Sequence, residues 1–294
     1  MKLLHISDTH GYSEGAADAF AIAREMTLPM VHTGDMVYDY FQEDVSYLDM
    51  PNLWPVIGNH DAINLSGTHP SGYDWHDKPS QTELRAKFFD PYPGRGLIFP
   101  TETATWWHKD VEGCRIIGLD VTAIGNDLTS ELDWLRDTLD NTPTLVLSHI
   151  GPRDLDYTND GFTCAAYWRN DGWYNHSTDN DYPGIAQLSD IVFAHAERSG
   201  TPCAMLCGHE HADGATVHRG VPVITIGCIY QDNYNNVYRS ETANTARTVT
   251  NLVAFDGMGL TVQRLGADSR TTGGRAKLWA YSYVEKRVTA IVSR

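Results

Sequence analysis

Length, composition and charge set the first limits on this chain. It has 294 residues, of which 41% are hydrophobic and 11% aromatic, and this content excludes a disordered chain and supports a packed core. The formal net charge is −16 and the Lys and Arg residues form no cluster, which disfavours a long nucleic acid as partner. The chain shows neither a signal-peptide pattern at its start nor the run of about 18 apolar residues that a membrane span needs. We therefore expect a soluble, cytoplasmic protein that does not bind membranes.

Cysteine usage indicates a reducing compartment. The chain has five cysteines, an odd number without short paired spacing, which is typical of reduced core thiols rather than a disulfide framework. Only Cys203 and Cys207 are close in sequence, and we expect two side chains on one face of a buried strand rather than a metal clip. The full set is Cys114, Cys164, Cys203, Cys207 and Cys228.

The first half of the chain alternates predicted strands and helices. Short apolar runs predict strands at 2–7, 30–33, 53–57, 114–119 and 144–147. Apolar residues at helical spacing predict one helix from Glu14 to Met26. A second helix would be capped by Thr129 or Ser130, with Glu131 in its first turn, where the positive end of the helix dipole favours an acid.

The second half passes from a helix into successive strands. The helix is predicted at 185–198, and the strands at 203–207, 216–218, 221–226, 249–255, 260–264, 277–283 and 287–292. Such an order predicts two β-sheets packed face to face with helices outside.

Two stretches interrupt this rhythm. Residues 62–110 and 151–184 are rich in Gly, Pro, Asn, Asp and aromatics and are predicted to be irregular loop insertions, which tend to be functional. They would belong to one domain spanning residues 1–294, with a strand-rich C-terminal part at about 228–294. The loop arginines Arg95, Arg153 and Arg169 could clamp a phosphate, but we expect solvated charges.

Five short polar motifs follow apolar runs, so they would emerge from strand ends and converge. They are Asp8-Thr9-His10, Gly34-Asp35, Gly58-Asn59-His60-Asp61, Ser148-His149 and Gly208-His209-Glu210-His211. Carboxylate, amide and imidazole ligands together suit Mn, Fe, Zn or Co rather than Ca or Cu(I). Two divalent cations would bring a charge of about +4, and two carboxylates and a hydroxide would leave about +1, which attracts a phosphate anion.

The order of these motifs resembles that of the calcineurin-like metallophosphoesterases. The resemblance implies an α/β fold, a four-layer αββα sandwich of two mixed β-sheets flanked by helices, with two divalent transition-metal ions, Mn, Fe or Zn. One metal would take Asp8, His10, Asp35 and His211. The second would share Asp35 and take Asn59, His149 and His209. His60 would act as general acid or as a donor to the phosphoryl oxygens, with Asp61 fixing its tautomer.

The function that this resemblance implies is hydrolysis of a small phosphodiester or phosphomonoester by in-line attack of a metal-bridging hydroxide. The Asp-x-His opening resembles that of small phosphodiesterases, which slightly favours a diester. A metal-dependent nuclease is an alternative that the acidic charge disfavours. A non-catalytic protein-binding scaffold is another, disfavoured because every expected ligand is present.

Three residues near the motifs need a separate interpretation. The spacing from Gly34-Asp35 to Tyr38 also fits the Gly-Asp-x-x-Tyr of purple acid phosphatases, in which the tyrosinate binds ferric iron. Those enzymes have Asp-x-Gly where this chain has Asp8-Thr9-His10, so we interpret Tyr38 as a core or cleft aromatic. His5 and His32 lie inside predicted strands, and we expect interior histidines rather than ligands.

Overall fold

The computed structural model describes residues 1–11, 14–38, 40, 45–62, 79–121, 128–152, 184–209, 214–227, 229, 249–266 and 277–292. Most of the predicted loop 151–184 and part of the predicted loop 62–110 therefore lie outside the described residues, as does the stretch 230–248 of the strand-rich C-terminal part. The assignment of all residues to one domain stays a prediction.

Within the described residues the chain forms two β-sheets and four α-helices. The strands are β1 Lys2–Ile6, β2 Met30–His32, β3 Leu53–Pro55, β4 Trp107–Val111, β5 Cys114–Gly118, β6 Thr144–Ser148, β7 Cys203–Cys207, β8 Gly214–His218, β9 Val221–Thr225, β10 Val249–Phe255, β11 Gly259–Gly266, β12 Leu278–Ser282 and β13 Arg287–Val292. The seven-stranded sheet has the order β13-β12-β11-β10-β1-β2-β3, and the six-stranded sheet has the order β4-β5-β6-β7-β9-β8. The helices are α1 Glu14–Met26, α2 Gln81–Phe88, α3 Leu128–Thr138 and α4 Gly184–Ser199, and short 3-10 helices occur at Ser46–Leu48, His60–Ala62 and Pro93–Arg95.

The layers follow from the two-residue period of the strands. In the six-stranded sheet Ile117 and Met205 pack with α3 and α4, whereas their neighbours Ile116 and Leu206 join a core that also contains Leu3 of the other sheet. Successive side chains of a strand point to opposite faces, so this sheet has helices on one side and the second sheet on the other. With α1 against β10 of the seven-stranded sheet, the predicted αββα sandwich is confirmed.

Most element predictions are confirmed to within about two residues. The helix predicted from Glu14 to Met26 has those bounds, and its inner residues Ala19, Phe20 and Ala23 are buried. No described helix is long and apolar enough to cross a bilayer. Among the described cysteines, Cys114, Cys203 and Cys207 are buried and are not joined in a disulfide, as predicted, while Cys164 and Cys228 lie outside the described residues.

The prediction of an irregular loop over 62–110 is wrong for its described part. Residues 79–110 contain α2 and most of β4. The side chain of Ser80 accepts a hydrogen bond from the backbone amide of Glu83, and the Glu83 carboxylate accepts one from the backbone amide of Ser80. Together they form a capping box. Only Leu84 and Phe88 of α2 are buried, so the helix carries too little apolar periodicity to be recognised. Its Ser-x-x-Glu start was the available signal.

Two further expectations are corrected. The third helix begins at Leu128, so Thr129 and Ser130 lie inside its first turn and do not cap it. Arg95 is only 2% exposed rather than solvated. Its guanidinium donates to the carbonyl oxygens of Phe88 at 2.8 Å and Leu48 at 2.5 Å, so it satisfies backbone groups that would otherwise lie unpaired in the core. The other two loop arginines, Arg153 and Arg169, lie outside the described residues.

Candidate metal centre

The polar motifs converge because the strands that precede them are parallel. In one sheet β1, β2 and β3 are parallel neighbours, and in the other β6 and β7 are. The motifs beginning at Asp8, Asp35, Asn59, His149 and His209 therefore leave the carboxyl edge of each sheet on the same side, where open α/β sheets place their sites. The convergence that the sequence predicts is present for these five positions. His211 lies outside the described residues.

Backbone and side-chain bonds tie the motifs to one another. The amide of His10 donates to the carbonyl of Asp35 at 2.9 Å, and the amide of Gly208 donates to the carbonyl of His149 at 2.9 Å. The amide of His209 donates to Oδ2 of Asp8 at 3.0 Å, which joins the two sheets. The motifs form a connected assembly in which each loop fixes the position of another.

Four of the expected ligand residues have left-handed backbone conformations. The φ angles are 52° at Asp8, 45° at His10, 54° at Asp35 and 70° at His209. This region is disfavoured for residues with a Cβ and is typical of functional sites that the surrounding structure holds in place. The hydrogen bonds between the motifs hold these residues in this conformation.

The glycines of the motifs allow the ligand loops to touch. A Cβ on Gly58 would lie 2.1 Å from the amide nitrogen of Asp35, and one on Gly208 would lie 2.7 Å from Oδ2 of Asp8. At Gly34, which has a φ of +93°, a Cβ would lie 2.5 Å from Nδ1 of His149. Each added Cβ would strike an expected metal ligand, and the one on Gly208 would also lie 1.9 Å from Oγ of Ser7, so these positions need glycine for close approach.

One group of ligand atoms is spaced like the neighbours of a single metal ion. Oδ1 of Asn59 lies 2.9 Å from Nε2 of His149 and 2.9 Å from Nδ1 of His209. Nε2 of His149 lies 3.2 Å from Oδ1 of Asp35. Adjacent ligands around an ion with bonds of about 2.1 Å stand about 3 Å apart, so the donor set fits a divalent transition metal.

A second group of ligand atoms also includes Asp35, through its other oxygen, Oδ2. Oδ2 of Asp35 is 3.9 Å from Nε2 of His10, and ligand atoms of His10, Asp35 and His60 all lie within 4.8 Å of one another. Asp35 thus presents one oxygen to each of two donor groups, as a bridging carboxylate does. Asp8 is fully buried beside the centre, but neither group of described residues within 4.8 Å includes it.

The buried charges explain how the centre is held together. Burial by itself lowers the pKa of His149, but the facing carboxylate of Asp35 outweighs it and raises the pKa to about 9. Burial opposes ionisation of Asp35, yet the imidazoles of His149, His60 and His10 hold its pKa well below the usual range. An imidazolium and a carboxylate therefore face each other where a cation would sit, and a metal ion would displace the imidazole proton.

The partner expected for His60 is not the one found. Nδ1 of His60 lies 2.9 Å from the carbonyl oxygen of Tyr38. The Asp61 carboxylate instead accepts the amides of Gly58 at 2.8 Å and Val37 at 2.9 Å. The expectation that Asp61 fixes the His60 tautomer is therefore wrong: the Tyr38 carbonyl occupies that position, and Asp61 joins two ligand loops. Burial, followed by the charge of Asp35, raises the pKa of Asp61 to about 8.

Tyr38 lies at the surface beside the centre, whereas His5 and His32 lie in the interior. Tyr38 is 42% exposed, and its ring centroid lies 5.2 Å from that of His60, so it is not a core aromatic. His5 and His32 are fully buried, as expected for interior histidines. Burial lowers the pKa of His32 to about 3, so this side chain stays neutral.

A buried hydroxyl network lies behind the centre and was not predicted from the sequence. Oγ1 of Thr9 lies 3.0 Å from Nε2 of His32 and donates to the carbonyl of Met36 at 3.0 Å. The hydroxyl of Tyr47 donates to the same carbonyl and lies 3.3 Å from Oγ1 of Thr9. Because Thr9 stands between Asp8 and His10, the network locks the first ligand loop to the second. Thr9 was visible inside its motif, but nothing in the sequence pointed to Tyr47.

One solved structure supports the same fold, and two others align with lower TM-scores. A dimetal phosphatase from Danio rerio aligns with a TM-score of 0.59 and 13% identity, covering 96% of this chain and 99% of that one. A 5'-nucleotidase described as putative, from Staphylococcus aureus, aligns with a TM-score of 0.45 and 13% identity over 87% of this chain and 51% of that one. A phosphopantetheinyl hydrolase from Mycobacterium tuberculosis aligns with a TM-score of 0.41 and 12% identity over 81% of this chain and 98% of that one.

Sequence comparison gives the family. No curated protein matches the chain. The family model described as calcineurin-like phosphoesterase matches residues 1–238, which contain all five motifs and more than half of the chain. The chain therefore belongs to the calcineurin-like phosphoesterases, and this membership supports metal-dependent hydrolysis of phosphate esters as its activity.

Proposed function

We propose that this protein hydrolyses a small phosphodiester or phosphomonoester by in-line displacement at phosphorus, using two divalent metal ions. The observation that carries the proposal is Asp35, whose two oxygens face two separate groups of imidazoles. A bridging carboxylate between two donor groups is the arrangement that dinuclear hydrolases use. The family membership supports phosphate ester hydrolysis and leaves the choice between diester and monoester to experiment.

The residues would divide between two ions that share Asp35. Asn59, His149 and His209 would hold one of them, and Asp8, His10 and His211 would hold the other. When bound, the ions would supply an activated water and positive charge for the phosphoryl oxygens. The left-handed backbone and the bonds between loops keep the ligands in position before binding, which reduces the reorganisation needed at the moment of reaction.

His60 would donate a proton to the departing oxygen. Its side chain is only partly buried, and its Nδ1 is engaged by the Tyr38 carbonyl, so Nε2 is directed away from that carbonyl. A proton donor is most useful for a diester, whose alkoxide leaving group is poor. This requirement favours a small phosphodiester slightly over a monoester, and the strongly acidic chain favours a small substrate over a long nucleic acid.

The test is a metal and substrate panel. Protein stripped by a chelator is reloaded with Mn, Zn, Fe or Mg and assayed on bis-p-nitrophenyl phosphate, p-nitrophenyl phosphate, cyclic nucleotides and DNA. We expect hydrolysis of the small esters only after reloading, with two ions per chain by elemental analysis. Absence of hydrolysis with every metal would remove the proposal in favour of a scaffold, and cleavage of DNA in preference to the small esters would replace it with a nuclease.

Substitutions separate the roles of the residues. Asp35→Asn should lose bound metal together with activity, whereas His60→Gln should keep both ions and lose about 10²-fold in kcat/KM. If His60→Gln also loses an ion, His60 is a ligand and not the acid. The matched control is His218→Gln, because His218 pairs with Val221 at the opposite end of its sheet from the ligand loops and should behave like wild type.

A further inference from the structure

Tyr38 stands at the rim of the centre in contact with two imidazoles. Its ring centroid lies 5.2 Å from that of His60 with an interplanar angle of 36°, and 5.8 Å from that of His10. The ring is 42% exposed, whereas His10 is buried and His60 is only partly exposed. Tyr38 therefore offers a flat apolar surface directly beside the residues that would act on the substrate.

The backbone of Tyr38 connects this surface to His60. Its carbonyl oxygen lies 2.9 Å from Nδ1 of His60, so the ring and the imidazole are held in a fixed relation. A leaving group that receives a proton from His60 must lie next to that imidazole, and Tyr38 is an exposed neighbour of His60 within the described part of the chain. Because the contact to His60 uses a main-chain atom, changing the Tyr38 side chain leaves it in place.

We propose that Tyr38 determines specificity by stacking against the leaving group, and that the substrate is a phosphate ester whose leaving group carries a flat aromatic ring. Aromatic rings prefer offset or edge-to-face contact at centroid distances of about 4.5–7 Å, and the rings of Tyr38, His60 and His10 already meet within that range. A substrate ring would extend this arrangement outward. The inference rests on the function proposed above and adds the class of leaving group.

The experiment compares aromatic and alkyl esters in matched variants. Wild type, Tyr38→Leu and Tyr38→Phe, all loaded with Mn, are assayed on phenyl phosphate and ethyl phosphate, or on their methyl diesters if the enzyme prefers diesters. For each substrate the ratio of variant to wild-type kcat/KM is taken, so the intrinsic reactivities of the two leaving groups cancel. We expect Tyr38→Leu to lose about 2- to 10-fold on the aromatic ester, mostly in KM, and to change little on the alkyl ester. Tyr38→Phe keeps the ring and should therefore keep the wild-type ratio of aromatic to alkyl activity.

Binding measurements separate this inference from the proposed function. Calorimetric titration of the Mn-loaded proteins with phenylphosphonate and methylphosphonate tests stacking even if the wild type hydrolyses neither ester. Such absence of hydrolysis would contradict the proposed function alone. Equal loss on aromatic and alkyl ligands in Tyr38→Leu would overturn the stacking role. Loss of a metal ion in Tyr38→Phe would overturn it in favour of Tyr38 as a ligand.

Discussion

Gly58→Ala tests the close packing of the ligand loops most directly. A Cβ at this position would lie 2.1 Å from the amide nitrogen of Asp35 and 2.2 Å from its Oδ1. Non-bonded heavy atoms of this kind need about 3 Å or more, so Asp35 or the loop of Gly58 must move by about 1 Å. Asp35 cannot move freely, because its carbonyl accepts the amide of His10 and its Oδ1 accepts the amide of His60.

The displacement should cost more in metal binding than in folding. Overpacking by one methyl group destabilises a protein by about 1–3 kcal/mol. A shift of about 1 Å in a ligand shared by two ions should weaken metal affinity by about 10- to 100-fold, the range found when supporting groups around a metal are lost. Activity at limiting metal should fall by about 10²-fold, since catalytic groups tolerate little misplacement.

The assay is a calorimetric titration of chelator-treated protein with Mn, together with thermal unfolding in the presence of chelator. Gly94→Ala is the matched control, because a Cβ there meets nothing within 4 Å and its φ lies outside the left-handed region. It should bind Mn like wild type. If Gly58→Ala binds two Mn ions with wild-type affinity, the close contact between the loops does not position Asp35.

Three further substitutions probe buried groups around the core. Glu131 is buried and accepts a hydrogen bond from the backbone amide of Asp120, and burial raises its pKa well above the usual 4.5. The free energy of unfolding of the wild type should therefore fall as pH rises above about 4.5, by up to about 1.4 kcal/mol per pH unit. Glu131→Gln should match wild type near pH 4 and be more stable at pH 8 in urea unfolding, and parallel pH profiles would contradict this. In Gly118→Ala the new Cβ would lie 2.4 Å from the Trp107 ring, so thermal unfolding should show a loss of about 1–3 kcal/mol, and an unchanged midpoint would mean that the ring can move aside. Asp61→Asn leaves one oxygen for two backbone amides, so the variant should be less stable by about 1–3 kcal/mol in urea unfolding and should bind Mn more weakly. Wild-type stability and Mn affinity in this variant would show that Asp61 does not join the two loops.

The sequence alone determined most of the elements, although not α2 or β4, and the edge of the sheets at which the site lies. Apolar runs followed by polar motifs mark where buried strands end, as after Ile6 and Ser148, and helical spacing marks α1 to the residue. These signals are local, because they depend only on the spacing of apolar and polar residues along a short stretch of the sequence. They are sufficient to predict two packed sheets with helices outside, and to predict that Asp35, Asn59, His149 and His209 lie close together.

Contacts between loops could be decided only by the tertiary structure. The carboxylate of Asp61 accepts hydrogen bonds from backbone amides on two different loops. The hydroxyl of Tyr47 contacts that of Thr9, 38 residues earlier in the sequence. The buried guanidinium of Arg95 donates to the carbonyl oxygens of residues 48 and 88. A polar side chain carries no local mark of which distant backbone group it will satisfy, since that depends on how the strands are ordered in the sheets. For the same physical reason His60 and Tyr38 could each be singled out from the sequence, but the contact between the His60 imidazole and the Tyr38 carbonyl could not be predicted.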